Sequence, residues 1–111
     1  MHYNFFTSSR FEKEVKRLSK KFPSLKSDLL KLQKDIIYTA NFGTPLGKNL
    51  YKIRLKVKSK SKGKSGGFRV INYIELSLKE DLSDIYLLTI YDKSETGNIS
   101  VSEVQSILRT I

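Results

Sequence analysis

The sequence predicts an α+β domain in which an N-terminal strand and a helical hairpin pack on an antiparallel sheet, followed by a C-terminal helix. Three observations indicate this class. Helical spacing of apolar residues fills the first half of the chain, strand-like alternation fills most of the second half, and a capped helical pattern closes the sequence. A chain of 111 residues without an internal repeat has room for one domain, residues 1–111. The expected element order is β-α-α-β-β-β-α.

The first half of the chain begins with a short aromatic strand pattern, His2 to Thr7. Ser8 or Ser9 is suited to cap the helix that follows, and Glu12 completes a capping box with Ser9. A second helical pattern comes next, with an expected buried stripe of Leu25, Leu29, Leu32, Ile36 and Ile37. Glycine and proline at 43–47 then predict a break before the strands.

A strand with one cationic face is predicted at residues 50–57. Its apolar residues alternate with Lys52, Arg54 and Lys56. Neighbouring cations on one face repel each other, which favours an anionic ligand there over an ordinary solvated edge.

Two more strand patterns follow, Phe68 to Ile74 and Ile85 to Tyr91. Arg69 lies in the first of them among apolar neighbours, where an arginine is rarely found without a partner. Its guanidinium is suited to hold a phosphate through two parallel hydrogen bonds, or else to pair with a buried carboxylate. Tyr73, on the same strand, is suited to stacking on a base or to core packing. A capping box at Ser100–Glu103 then opens the final helix.

The charge balance indicates a polyanionic partner. The chain carries 21 Lys and Arg against 11 Asp and Glu, a net charge of +10, which favours nucleic acid or an acidic protein as partner.

The absence of cysteine excludes disulfides, thiol catalysis and cysteine-based zinc sites. No apolar run approaches the length of a membrane span. We therefore expect a cytoplasmic protein with no membrane partner, no cofactor and no metal.

A basic loop at residues 58–67 joins the first two long strand patterns. Its lysines are Lys58, Lys60, Lys62 and Lys64. Together with Lys56 and Tyr73, we expect them to form a set that binds nucleic acid. The segment Gly63-Lys64-Ser65 matches the end of a nucleotide-binding P-loop, but the upstream glycine and the following helix are missing, which excludes that function.

The order of elements and several segments resemble the RelE/ParE superfamily of type II toxins, and most closely its HigB-like branch. The similar segments are Phe11 to Leu18, the hairpin Tyr51–Leu55 with Gly67–Tyr73, the loop Lys62 to Gly67, and the strand end Tyr91-Asp92-Lys93. The resemblance covers essentially the whole chain. It implies a RelE-like fold and an mRNA endoribonuclease that inhibits translation, with the ribosome and a cognate antitoxin of acidic or helix-turn-helix type as partners.

Carried over by position, the resemblance implies a set of catalytic cations. These are Lys52, Arg54, Arg69 and Lys93. Some RelE-type members also place a tyrosine in the first turn of the final helix, where this chain has Ile99 and Ser100. Tyr91 is the nearest substitute and completes the expected catalytic set.

Metal-free RNA cleavage needs a base for the 2′-hydroxyl, cations for the growing phosphate charge and an acid for the 5′-oxygen. The only histidine is His2, which excludes a two-histidine ribonuclease. A lysine among other cations is the preferred base, because nearby positive charge favours its neutral amine. Tyr91 is suited to donating a proton or stacking on a base.

Two alternatives to an RNA-cleaving toxin stay open: a ParE-like toxin acting on gyrase, and a non-catalytic basic RNA-binding module.

Overall fold

A computed structural model describes residues 2–60 and 67–111, and in these residues it shows five strands and three helices. In chain order they are β1 (His2–Thr7), α1 (Ser9–Lys21), α2 (Leu25–Thr39), β2 (Thr44–Gly47), β3 (Leu50–Leu55), β4 (Phe68–Ser77), β5 (Leu82–Asp92) and α3 (Val101–Leu108). All five strands form one sheet in the order β1-β5-β4-β3-β2. The predicted α+β class, with its helical hairpin and final helix, is confirmed.

The sheet differs from the prediction in two respects. β1 pairs with β5 in parallel, whereas the other neighbouring strands are antiparallel, so the sheet is mixed. The segment predicted as a break contains β2, an exposed edge strand in which Pro45 is tolerated because its missing N–H is not needed on the outer side. Gly43 lets this segment approach β3: its φ is +100°, and a Cβ atom there would lie only 2.8 Å from the Ile53 Cα.

Two helix details also differ from the prediction. Ser8, one of the two predicted caps, caps α1 and accepts a hydrogen bond from the Phe11 N–H at 2.9 Å. The predicted capping box of Ser9 with Glu12 is wrong, since the Glu12 carboxylate accepts a hydrogen bond from the Thr7 hydroxyl. The predicted buried stripe of α2 is confirmed except at Ile37, which is exposed. No helix in residues 2–60 or 67–111 is long and apolar enough to cross a membrane.

Both faces of the sheet are partly covered, each by different helices. The hairpin of α1 and α2 covers one face, and Glu14 ties it to β5 by accepting hydrogen bonds from the Thr89 hydroxyl at 2.8 Å and the Ile90 N–H at 3.0 Å. α3 packs on the other face. The apolar cluster beneath it comprises Leu50, Ile71, Leu88, Tyr91, Val104 and Ile107. The face opposite the hairpin is therefore open only beside α3.

Candidate active site

Strand register brings three of the predicted site residues into one row, which we call the cationic row. Arg54 on β3 pairs with Arg69 on β4, and Arg69 pairs with Tyr91 on β5. Residues directly opposite each other on paired strands share a face of the sheet. Arg69 therefore lies on the same face as the β3 cations, and two arginines face each other across adjacent strands.

Lys52 lies two residues before Arg54 on β3 and so belongs to the same face. It lines a pocket of about 70 Å³ together with Ile71 and Tyr91 from the sheet and Ile99 and Val104 from the C-terminal segment. The pocket is a small cleft between the sheet and the C-terminal segment, with room for water molecules.

Arg69 is only 7% exposed, in agreement with its apolar sequence neighbours. One guanidinium nitrogen, Nη1, lies 3.3 Å from the carbonyl oxygen of Phe68, to which it donates. Gly67 lies beside it with a φ of +59°, and a Cβ atom at that position would stand 3.8 Å from Nη1. The glycine therefore provides the left-handed backbone conformation that brings the chain into β4, and it adds no side chain next to the guanidinium.

Tyr91 is buried, and its phenol is held in the protonated form. Burial raises the pKa of Tyr91. The positive charge of Arg69 and a hydrogen bond with the backbone of Ile99 lower this pKa, but their effect is smaller than that of burial. The phenol thus reaches Ile99, one of the two positions where the resemblance leads one to expect a tyrosine. Because it is neutral at neutral pH, it is suited to donate a proton.

Lys60 lies on the opposite, hairpin-covered side, where it anchors the start of the basic loop. Its ammonium is 2.7 Å from a carboxylate oxygen of Asp92, and it lies over the rings of Phe22 and Phe68 at 5.9 and 5.6 Å. Asp92 is 3% exposed and Lys60 17%. The sequence predicts Lys60 to bind RNA, but its charge is engaged in this internal ion pair. Asp92 was missed because its partner is distant in sequence.

Three more lysines of the predicted site follow the ends of β3 and β5, and all three are exposed. They are Lys56 and Lys58, expected to bind RNA, and Lys93, expected to be catalytic. The Lys58 N–H donates to the buried Asp28 carboxylate at 3.1 Å, and the Lys93 N–H donates to the Gly67 carbonyl at 3.1 Å, so backbone contacts fix both positions. Two further lysines of this set, Lys62 and Lys64, lie outside the described residues.

The ion pair of Asp92 and Lys60 predicts a pH-dependent stability. Burial tends to raise the pKa of Asp92, but hydrogen bonds from Lys60 and Ser94 outweigh it and hold that pKa below its ordinary value. A carboxyl whose pKa is lowered by folding stabilises the fold above pH 4, and the contribution is lost as the pH falls further. Asp92→Asn should therefore reduce the free energy of unfolding at pH 7 by about 3 kcal/mol and by much less at pH 2.

Urea denaturation at the two pH values measures this difference. Asp35→Asn is the matched control, because Asp35 forms an exposed ion pair with Lys31 at 3.2 Å on α2. Such exposed pairs contribute about 0.5 kcal/mol or less. Equal losses of stability in the two variants at pH 7 would contradict the anchoring role of Asp92.

The fold has a counterpart among solved structures. A structure of the E. coli toxin RelE, an arginine-to-alanine double mutant in the free state, matches this chain with a TM-score of 0.59 over 100% of both chains. The chain has the RelE fold. Sequence identity is 17%, so the likeness is one of fold, and functional residues have to be judged on their own geometry. No protein-family model and no curated protein matches the sequence. The RelE-like fold implied by the resemblance is thus confirmed, and the HigB-like branch stays a prediction.

Proposed function

We propose that this chain is the toxin of a type II toxin-antitoxin system, an mRNA endoribonuclease of the HigB-like branch that inhibits translation at the ribosome. The observation that carries the proposal is the cationic row of Arg54, Arg69 and Tyr91 across three strands. Two arginines on directly opposite positions can both donate hydrogen bonds to a phosphate that lies between them. The shared fold with a toxin supports the same conclusion.

In the proposed reaction the scissile phosphate lies over Arg54 and Arg69, which donate hydrogen bonds to its non-bridging oxygens and stabilise the charge of the transition state. Lys52 accepts the proton of the 2′-hydroxyl as that oxygen attacks phosphorus. The bond to the 5′-oxygen breaks, and Tyr91 donates a proton to this leaving group. The products are a 2′,3′-cyclic phosphate and a 5′-hydroxyl end.

Exposed lysines around the row extend the proposed interface with RNA. Lys56, Lys58 and Lys93 are placed to contact neighbouring phosphates, with Lys62 and Lys64 of the basic loop added to them. A face of this charge requires an antitoxin with acidic side chains to neutralise it in the cytoplasm, where mRNA and ribosomes are found. Such contacts are sensitive to salt, because each phosphate contact releases counterions.

The ends of the cleaved RNA test the proposed reaction. We expect new mRNA ends after induction of the chain, mapped by primer extension, and we expect 5′-hydroxyl ends paired with 2′,3′-cyclic or 3′-phosphate ends. Cleavage of ribosome-bound mRNA should persist in EDTA as long as the ribosomes stay intact, because lysine, arginine and tyrosine carry the reaction. Chemical analysis of the ends with and without the chelator provides the measurement.

Two other results would contradict the proposal. Recovery of 5′-phosphate ends that disappear in EDTA would indicate a metal-dependent nuclease. Intact mRNA together with a loss of DNA supercoiling would indicate a ParE-like action on gyrase.

A further inference from the structure

A second row of side chains crosses the same face of the sheet, and we call it the aromatic row. Tyr73 on β4 pairs with Tyr86 on β5, and Tyr86 pairs with Phe6 on β1. The rings of Phe6 and Tyr86 stack with centroids 5.0 Å apart and planes 22° apart, and those of Tyr73 and Tyr86 lie 6.0 Å apart. Phe6 is 43% exposed at the edge of the sheet, and both tyrosines are half-buried.

The aromatic row and the cationic row lie on the same face of the sheet, on either side of the apolar cluster that α3 covers. Tyr73 lies four residues after Arg69 on β4, so both side chains point to the same face, about 13 Å apart at the usual rise of a strand. Both tyrosines pack against the cluster that contains Ile71 and Leu88, which lies between the two rows. A single strand of a few nucleotides is long enough to reach from one row to the other.

We propose that the aromatic row is a base-stacking subsite for single-stranded RNA whose backbone is held at the cationic row. The proposal rests on the proposed function, which places the phosphate at Arg54 and Arg69. Aromatic rings beside a cationic groove are the usual arrangement for binding single strands, since every base offers a face for stacking.

The carboxylates beyond the aromatic row favour binding of a base at this row over binding of a phosphate. Glu75 pairs with Asp84 one step further along the same face, and the amide of Asn4 donates to Asp84 at 3.2 Å. Burial together with these two carboxylates raises the pKa of Tyr86. The same negative charge repels phosphate. The backbone of a bound strand therefore stays at the arginines, and a base is directed toward the rings.

A double variant, Phe6→Leu with Tyr86→Leu, tests the subsite. Fluorescence anisotropy with a single-stranded RNA of ten nucleotides should show binding about tenfold weaker at fixed salt, the loss expected for one stacked base. The dependence of log Kd on log salt should keep its slope, because no phosphate contact is removed. Arg69→Ala, in contrast, should weaken binding and reduce the slope by about 0.7. Tyr38→Leu is the matched control, since Tyr38 is 91% exposed on α2, away from this face, and it should change neither quantity.

A second variant reports stacking directly and does not depend on the stability of the double variant. The chain contains no tryptophan, so Phe6→Trp introduces a single indole into the aromatic row. Its fluorescence should be quenched by the RNA and much less by an oligonucleotide of the same length without bases.

The outcomes separate this inference from the proposed function. Unchanged RNA affinity in the double variant, with no quenching in Phe6→Trp, would overturn the subsite and leave a protein partner as the occupant of the row. Unchanged affinity and slope in Arg69→Ala would instead overturn the phosphate site on which the proposed function depends.

Discussion

Arg69→Ala is expected to abolish growth arrest and to lower the rate of mRNA cleavage by at least about 100-fold, the usual effect of removing a donor that stabilises transition-state charge. The substitution removes the contact of Arg69 with the phosphate, so that Arg54 is the one arginine of the cationic row that remains to hold it. The fold should persist, because the side chain lies on the α3 face and the larger core lies under the hairpin. Cleavage rates and a thermal melt of the purified variant measure the two effects.

Two further substitutions control this experiment. Arg69→Lys keeps the charge but loses the planar pair of donors, so we expect an impairment of about tenfold or more. Arg17→Ala removes an exposed arginine from α1, on the other side of the sheet, and should leave cleavage unchanged. Growth arrest by Arg69→Ala at the expression level of the wild type would show that the assignment is wrong.

The elements that bury a regular stripe could be predicted from the sequence, and those without one could not. α1, α2 and β3 to β5 each place apolar residues at the period of a helix or a strand, because one or both faces meet a core. β2 is a four-residue edge strand with every residue exposed, so no alternation marks it. The parallel pairing of β1 with β5 joins His2 to Leu82, and nothing local indicates a contact between such distant segments.

The candidate site was predictable to the extent that alternation determines strand register. The face of β3 that carries the cations follows from its alternation. β4 is buried on both faces, so only its register with β3 shows that Arg69 lies opposite Arg54. Lys60 shows the limit of this reasoning, since in sequence it is one of several loop lysines and only its contact with Asp92 distinguishes it. The aromatic row was out of reach for a similar reason, because Phe6 joins it through the parallel pairing.

Tyr91→Phe is expected to lower the rate of cleavage by about 10² to 10⁴-fold, the range for loss of a general acid, with little change in RNA affinity. Burial raises the pKa of Tyr91 even though Arg69 and the backbone of Ile99 act against it. The phenol is therefore protonated throughout the neutral range and serves as an acid, not as a base. The contribution of Tyr91 to the rate should accordingly stay level at neutral pH and fall only above about pH 10, where a tyrosine ionises.

A substrate with sulfur in place of the 5′-oxygen separates proton donation from the other roles of this phenol. A thiol is more acidic than an alcohol and leaves as the anion, so it needs no proton from the enzyme. On this substrate Tyr91→Phe should cleave at nearly the wild-type rate, while Arg69→Ala should stay slow because the phosphate must still be held. If Tyr91→Phe stays equally slow on both substrates, the phenol is not the acid. Its hydrogen bond to Ile99 would then be the part that matters, as a contact that positions the segment leading into α3 beside the phosphate site.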